Sequence, residues 1–194
     1  MSTQTLRAYL QTFFSAAVDA VDPAQLIRRS VFAEQTHLSV HIDIASHTST
    51  FPLQGQVFLI GAGKGAGRMA QALLPVLGKR LTGGVVIVPQ DIDADANIRL
   101  DPLTTVHAEH PLPGQGSLRG GQALMAHLAN RRPFDLICFC LTGGASSLLV
   151  QPVPGVSLED KLAVNRLLLA SGADIQAINT VRKHLSQIKG GNLA

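Results

Sequence analysis

Apolar positions along the chain follow two different spacings. Near the start they recur every three or four residues, at Leu6, Leu10, Phe13, Phe14, Ala17, Val18 and Val21. This spacing predicts an amphipathic helix that ends before Pro23. Further along, Val40, Ile42 and Ile44 occupy every second position, which predicts a short exposed strand.

Three apolar runs predict strands; the first is continuously apolar, as expected of a parallel strand covered on both faces, and the last is also expected to be buried. They read QVFLI (56–60), GGVVIVP (83–89) and DLICFC (135–140), and a further strand is predicted around TTVHAEH (104–110). Helices are predicted between these strands, over 64–77 and from Ser117 to Asn130.

Two more helices are predicted after the last strand. Ser157 and Asp160 match a capping box for a helix that ends near residue 170. Asp174 is the expected cap of the final helix, and Gly190 and Gly191 are its expected stop. The alternation of strands and helices predicts an α/β fold: a doubly wound, mostly parallel, Rossmann-like sheet with helices on both faces, in three α/β/α layers. Ligands of such sheets bind beyond the carboxyl ends of the strands.

Composition narrows the possible functions. The 194 residues are 46% hydrophobic and 4% aromatic, and no apolar run approaches the roughly 20 residues of a membrane span. The N-terminal segment lacks the features of a signal peptide, so we expect a cytoplasmic protein with no membrane partner.

The net charge is +3, but no basic stripe is interleaved with aromatic residues. We therefore expect a small anionic ligand and no nucleic acid. Cys138 and Cys140 are expected to be buried, reduced thiols.

The stretch VFLIGAGKGAG (57–67) leads a buried strand directly into a glycine-rich turn. A P-loop would need glycine five positions before Gly63 and a hydroxyl residue after Lys64. Phe58 and Gly65 occupy these two positions, which excludes a P-loop.

The dinucleotide-binding pattern G-x-G-x-x-G/A is met by Gly61, Gly63 and Ala66. Its acidic partner is expected about 20 residues further on, at the end of the next strand. The residue found there, Asp91, lies 30 positions beyond Gly61, and a lysine within the turn is unusual for a dinucleotide site. Both observations count against a dinucleotide-binding turn.

An anion cradle suits the turn better. Gly61, Gly63 and Gly65 allow backbone N–H groups to approach an anion at a helix N-terminus. Lys64, predicted in the first helical turn, adds a full positive charge that a bound anion would offset. A packing turn with an incidental solvated lysine is the remaining alternative.

A second turn, LTGGASSLL, follows the strand at 135–140 in the same way. Its candidate phosphate- or carboxylate-binding residues are Thr142, Gly143, Gly144, Ser146 and Ser147. A plain turn with a helix cap is the alternative. His110 is expected at the same edge of the sheet, and because His107 and His110 have no further ligands nearby, we predict no protein metal site.

The final helix carries polar residues at spacings that predict one basic face. They are Asn179, Arg182, Lys183, Ser186 and Lys189. This face could clamp an anion, or it could be the solvated basic end of a helix, where lysine and arginine are favoured in any case.

Four segments in this order and spacing resemble the N-terminal part of the class II (MOFRL-type) glycerate 2-kinases. They are VFLIGAGKGAG, HPLPGQGS, LTGGASSLL and GVSLEDKLAVNRLLLASGADIQAINTVRKHLSQIKGG. The resemblance extends from about residue 5 to the end of the chain. Two residues depart from the family pattern: Ala145 replaces a glycine in the second turn, and Gly65 replaces an alanine in the first.

The resemblance implies transfer of the γ-phosphoryl group of ATP, with Mg²⁺, to the 2-hydroxyl of D-glycerate. It implies that Lys64 is catalytic, and that the cleft lies between two α/β domains. Residues 1–194 would be the N-terminal domain, truncated, without the C-terminal MOFRL domain and its catalytic arginine. A homodimer is compatible with this interpretation.

Two alternatives to the kinase stay open. Many bacterial members of the family carry the name hydroxypyruvate reductase, which would use NAD(P)H in the G-x-G-x-x-A turn. The chain could also be a non-catalytic domain that binds an anion or a nucleotide.

Overall fold

The computed structural model describes residues 2–42, 46–91, 98–129 and 131–193. Its helices are α1 (Thr3–Ala20), α2 (Pro23–Ser30), α3 (Ala66–Leu77), α4 (Gln115–Ala129), α5 (Ala145–Leu148), α6 (Leu158–Ala170) and α7 (Ile175–His184). Its strands are β1 (Val31–Ala33), β2 (His37–Ile42), β3 (His47–Pro52), β4 (Val57–Ala62), β5 (Leu81–Pro89), β6 (Thr104–Ala108) and β7 (Leu136–Leu141).

The main sheet has the strand order β6–β5–β4–β7, and every neighbouring pair is parallel. From β4 the chain moves outward through β5 to β6, and it then returns to place β7 on the opposite side of β4. The direction of winding therefore changes between β4 and β7, which is where ligands of such sheets bind. The predicted doubly wound α/β fold is confirmed.

Helices cover both faces of this sheet because successive side chains of a strand point to opposite faces. Leu59 packs in one buried cluster with Leu73 of α3. Its neighbour Ile60 packs in a second cluster with Leu124 of α4. The central strands β4 and β5 are apolar at nearly every position because both faces are covered, which confirms the predicted three layers. Strand β7 was also predicted to be buried, but it lies at the edge of the sheet and Cys140 is its one buried residue.

A second sheet, of the antiparallel strands β1, β2 and β3, precedes the main one. The sequence predicted only the middle strand, around Val40 and Ile42; Ile44 lies outside the described residues. The flanking strands were missed because β1 has three residues and β3 (HTSTFP) is polar with no buried position. Val31 and Leu38 attach this sheet to the core that also contains α3.

The predicted N-terminal helix exists as α1, with Ser2 as its N-cap, and it ends before Pro23. None of its residues is buried. Phe13 and Phe14 are 68% and 72% exposed, so its apolar face has no partner among the described residues.

Two helix boundaries differ from the predictions. Helix α3 begins at Ala66, with Gly65 as its N-cap, so Lys64 precedes the helix and does not lie in its first turn. Helix α7 ends at His184, well before the predicted stop at Gly190. The chain leaves the helix because Ser186 pairs with Pro152, a tertiary contact that the helical spacing could not reveal. Helix α4 was predicted within about two residues, although its expected end, Asn130, lies outside the described residues.

Candidate functional site

The glycine-rich turn after β4 lies at the change of winding direction. Gly61 is buried within the strand, and a Cβ there would lie 2.9 Å from Cγ1 of Val86, so its smallness serves packing between strands. Gly63 has φ +129°, and a Cβ there would overlap Thr142. The two predicted turns therefore pack directly against each other.

Backbone N–H groups of the first turn are already used within the protein. The N–H of Lys64 donates to the carbonyl oxygen of Gly143 at 2.9 Å, and that of Gly65 donates to Thr142 Oγ1 at 2.9 Å. The N–H of Gly63 donates to the carbonyl oxygen of Ile87 at 3.3 Å. The predicted anion cradle of Gly61, Gly63 and Gly65 therefore has no free N–H group at Gly63 or Gly65. What the turn presents to solvent is the exposed side chain of Lys64.

The second turn leads into the four-residue helix α5. Gly144 is its N-cap, with φ +91°, a conformation that L-residues rarely adopt. Ser147 Oγ donates to the carbonyl oxygen of Gly144 at 3.0 Å, so this hydroxyl supports the turn. Ser146 is exposed, and Gly143 is exposed beside it.

Gly144 brings together two residues that the sequence proposed separately. A Cβ at Gly144 would lie 2.9 Å from Nε2 of His110 and 3.5 Å from Cγ of Lys64. The imidazole and the lysine stem therefore share one small area above the turn. A cation and a ring nitrogen meet here, at the carboxyl ends of three parallel strands.

Glu109, which the sequence analysis missed, supports the segment that carries His110. Its carboxylate accepts N–H bonds from Gly116 at 3.2 Å and Ser117 at 3.3 Å, in the first turn of α4. Burial by itself would raise the pKa of Glu109, but backbone N–H donors, its own among them, and the charge of Arg119 together outweigh burial, and the pKa is lowered. A carboxylate that caps a helix from outside leaves only a weak sequence signal, since the helix start had to be known first.

The predicted basic face of the last helix is divided by the structure. Asn179 and Lys183 are exposed on α7, whereas Arg182 is half-buried. Ser186 and Lys189 lie beyond the end of the helix, so the single five-residue face does not exist.

Arg182 instead lines a small cavity between α6, α7 and the second turn, with Lys161, Lys189, Asn165 and Ser146. We call this the basic cavity. Burial and the neighbouring cations lower the pKa of Lys189 to about 8. Burial, together with the charge of Arg182, also lowers the pKa of Lys161. Sequence reasoning missed Lys161 and Asn165 because nothing in their spacing along α6 indicates that α7 lies beside them.

Two further features of the described chain bear on function. No group of three or more histidine, cysteine, aspartate or glutamate side chains is arranged to hold a metal ion within these residues. None of the helices that the structure describes is both long and apolar enough to cross a bilayer.

Comparison with known proteins gives one consistent result. Residues 9–194 match the family described as "Domain of unknown function (DUF4147)". The chain is 35% identical over 203 residues to a glycerate kinase of Rattus norvegicus, with 100% of this chain and 38% of the relative covered. It is 40% identical over 139 residues to a D-glycerate 2-kinase of Thermotoga maritima, with 72% of this chain and 33% of the relative covered.

A solved structure agrees with these sequences. The crystal structure of glycerate kinase from Thermotoga maritima superposes with a TM-score of 0.79 at 31% identity, covering 97% of this chain and 41% of that one. The chain thus spans about two fifths of the length of the relatives it matches. The resemblance to glycerate kinases is confirmed, and the chain belongs to the DUF4147 family, the N-terminal region of proteins of the MOFRL type.

Proposed function

We propose that this chain forms the N-terminal half of the active site of a glycerate 2-kinase, which transfers the γ-phosphoryl group of ATP to the 2-hydroxyl of D-glycerate. The observation that carries the proposal is the meeting of Lys64, His110 and Gly144 at the change of winding direction in the sheet. Relatives named for this activity support the choice of reaction.

Lys64 is the proposed catalytic residue. Phosphoryl transfer asks a protein mainly for positioning and for stabilisation of charge on the transferring group. The turn holds the backbone of Lys64 rigidly through Gly143, which leaves its ammonium free to neutralise that charge. His110, beside it, would donate or accept a hydrogen bond to the same group.

The other predicted site residues divide into two roles. Gly61, Gly63, Gly65, Thr142 and Gly144 build the two turns and hold them together. Gly143, Ser146, Ser147, Asn179 and Lys183 stay candidates for ligand contact. Among them the exposed hydroxyl of Ser146 is well placed because it borders both the second turn and the basic cavity.

ATP fits the proposal as the donor, whereas the described residues offer no carboxylate set for Mg²⁺. The carboxylate of Glu109, beside His110, is engaged with the first turn of α4. We propose that Mg²⁺ enters the site bound to the nucleotide. No general base for the substrate hydroxyl is evident in these turns, and we assign it to the second wall of the cleft, beyond this domain.

The remaining parts of the proposal concern the whole protein. A C-terminal MOFRL domain would supply the second wall of the cleft and a catalytic arginine. We propose a cytoplasmic location. A homodimer remains a prediction, which light scattering of the purified protein tests.

The decisive experiment measures ADP release from MgATP, with and without D-glycerate, by the product of the complete gene. Glycerate-dependent ADP is expected. Lys64→Ala should lower kcat by about 100-fold to 1000-fold, the effect of losing one preorganised charge donor. Lys79→Ala is the matched control, because Lys79 is an exposed lysine in the turn before β5, at the opposite edge of the sheet. Near-normal turnover in Lys64→Ala would refute the role of Lys64.

A nicotinamide-dependent hydroxypyruvate reductase is disfavoured by the same turn. Its cofactor would need free N–H groups after β4, and those of Gly63, Lys64 and Gly65 are occupied. Oxidation of NADH by hydroxypyruvate, in the absence of any glycerate-dependent ADP, would reverse this choice. Binding of ATP or D-glycerate without either reaction would favour the non-catalytic alternative.

A further inference from the structure

The basic cavity contains three cations and no described counter-charge. Lys161 projects from α6, Arg182 from α7, and Lys189 from the segment that follows α7. In the described part of the chain, none of the three forms an ion pair with a carboxylate. Lys189 Nζ donates to the carbonyl oxygen of Leu149 at 2.9 Å, a neutral partner that leaves its charge uncompensated. Cations held together in a half-buried space cost free energy unless an anion joins them.

A buried acceptor lies in the same place. Asn165, one helical turn after Lys161, lines the cavity, and its Oδ1 is buried with no hydrogen-bond partner. Buried side-chain oxygens are normally paired, so an unpaired one indicates that a donor is missing. Ser146, from the second turn, contributes a hydroxyl to the same lining.

The size of the space limits what can enter. The cavity measures about 20 Å³, room for little more than one water-sized atom. A planar carboxylate can place an oxygen there with little movement of the lysine side chains. A phosphate, with four oxygens arranged tetrahedrally around phosphorus, would have to widen the cavity much more.

We propose that the basic cavity, widened by movement of its lysine side chains, binds the carboxylate of a short hydroxy acid, with Lys161, Arg182 and Lys189 around the charge and a substrate hydroxyl donating to Asn165 Oδ1. The inference rests on the proposed function, and within it the acid is D-glycerate. The active site then has two anion-binding positions: the basic cavity for the carboxylate and Lys64 for the transferring phosphoryl group. Ser146 lines the basic cavity and follows Gly144 in the second turn.

Calorimetric titration of the complete gene product at pH 8, without nucleotide, tests the proposal. D-glycerate should bind and glycerol should not, because glycerol has the same carbon skeleton without the carboxylate. Binding should also take up as much as about half a proton, seen as a dependence of the heat on the buffer, since an anion beside Lys189 raises its lowered pKa.

Lys161→Met should weaken D-glycerate binding by about tenfold or more, the effect of losing one charge-assisted contact. Lys161→Arg, which keeps the charge, should retain most of the affinity. Arg166→Met is the matched control because Arg166 is exposed on the same helix, outside the cavity lining. If Lys161→Met fails to fold, Arg182→Met takes its place.

The results of these titrations and of the ADP assay test the carboxylate site and the kinase activity separately. Binding of inorganic phosphate without D-glycerate, equal binding of glycerol, or unchanged affinity in the folded cavity variants would overturn the proposal. D-glycerate binding with the expected pattern but no glycerate-dependent ADP would refute the kinase and leave the carboxylate site standing. ADP formation with an unchanged KM for D-glycerate in Lys161→Met would refute the site and leave the kinase standing.

Discussion

At the candidate site, a glycine matters because its missing side chain leaves space for neighbouring side chains. Gly144 is the clearest case, because its backbone has φ +91° and its missing Cβ makes room for His110 and Lys64. The close approach of His110 and Lys64 therefore depends on a glycine, which has no reactive side chain. The glycine belongs to one strand end, the histidine to another and the lysine to a third.

Gly144→Ala should lower kcat/KM of the complete gene product by more than about tenfold. The added methyl would displace His110, whose Nε2 lies 2.9 Å from the Cβ position, and the strained φ should cost roughly 1–2 kcal/mol of stability. Steady-state kinetics and urea unfolding measure the two effects.

Gly155→Ala provides the control for backbone strain. Gly155 has φ +83°, and nothing lies within 4 Å of its Cβ position. We expect a comparable loss of stability with unchanged kinetics. If both variants lose activity equally, the contact with His110 and Lys64 is not what matters.

At the scale of elements, burial separates helix α1 from strand β4. Both were predicted from apolar spacing, and both exist. The strand is completely enclosed between α3 and α4, whereas the apolar face of the helix remains exposed among the described residues. Apolar residues thus have different energetic consequences in the two elements.

Leu59→Ala in β4 should lower the free energy of unfolding by about 2–5 kcal/mol, because Leu59 is fully buried and the change leaves a cavity. Phe14→Ala in α1 should change it by less than about 0.5 kcal/mol, since Phe14 is 72% exposed. Urea denaturation of both variants of the purified chain tests the contrast. A large loss in Phe14→Ala would show that the face of α1 is covered in solution.

At the scale of the whole molecule, two groups of buried titratable residues couple stability to pH in opposite directions. The pKa of Lys189 is lowered from 10.5 to about 8, so between these values the unfolded chain holds a proton that the folded chain has released. Stability from this group therefore rises with pH. Burial raises the pKa of Cys138 to about 11 and of Cys140 to about 12, and these thiols lower stability as pH passes 9.

Comparison with a variant isolates the lysine. Lys189→Met removes the first effect and leaves both cysteines in place. Relative to this variant, the wild-type free energy of unfolding should rise by about 1 kcal/mol between pH 8 and pH 9. Urea unfolding at the two pH values measures the difference in slope, which is independent of any constant loss caused by the substitution. Parallel pH profiles would show that the pKa of Lys189 is close to that of a free lysine.

The amino-acid sequence by itself determined the alternation of strands and helices in the main sheet, the doubly wound α/β class and the position of both glycine turns. These depend on local spacing and on burial, which apolar runs such as that of β4 record directly. It also singled out Lys64, His110 and Gly144, because charged, ring-bearing and flexible residues stood at predicted strand ends.

Only the tertiary structure decided how these residues are used. It assigned the amides of the first turn to Thr142 and Gly143, ended α7 at His184, and brought Lys161 and Asn165 beside Arg182. Each of these depends on contacts between segments far apart in the chain. Spacing along one element carries no information about which other element will lie against it. For that reason the sequence indicated Arg182 and Lys189 as basic residues but not the cavity that they share with Lys161.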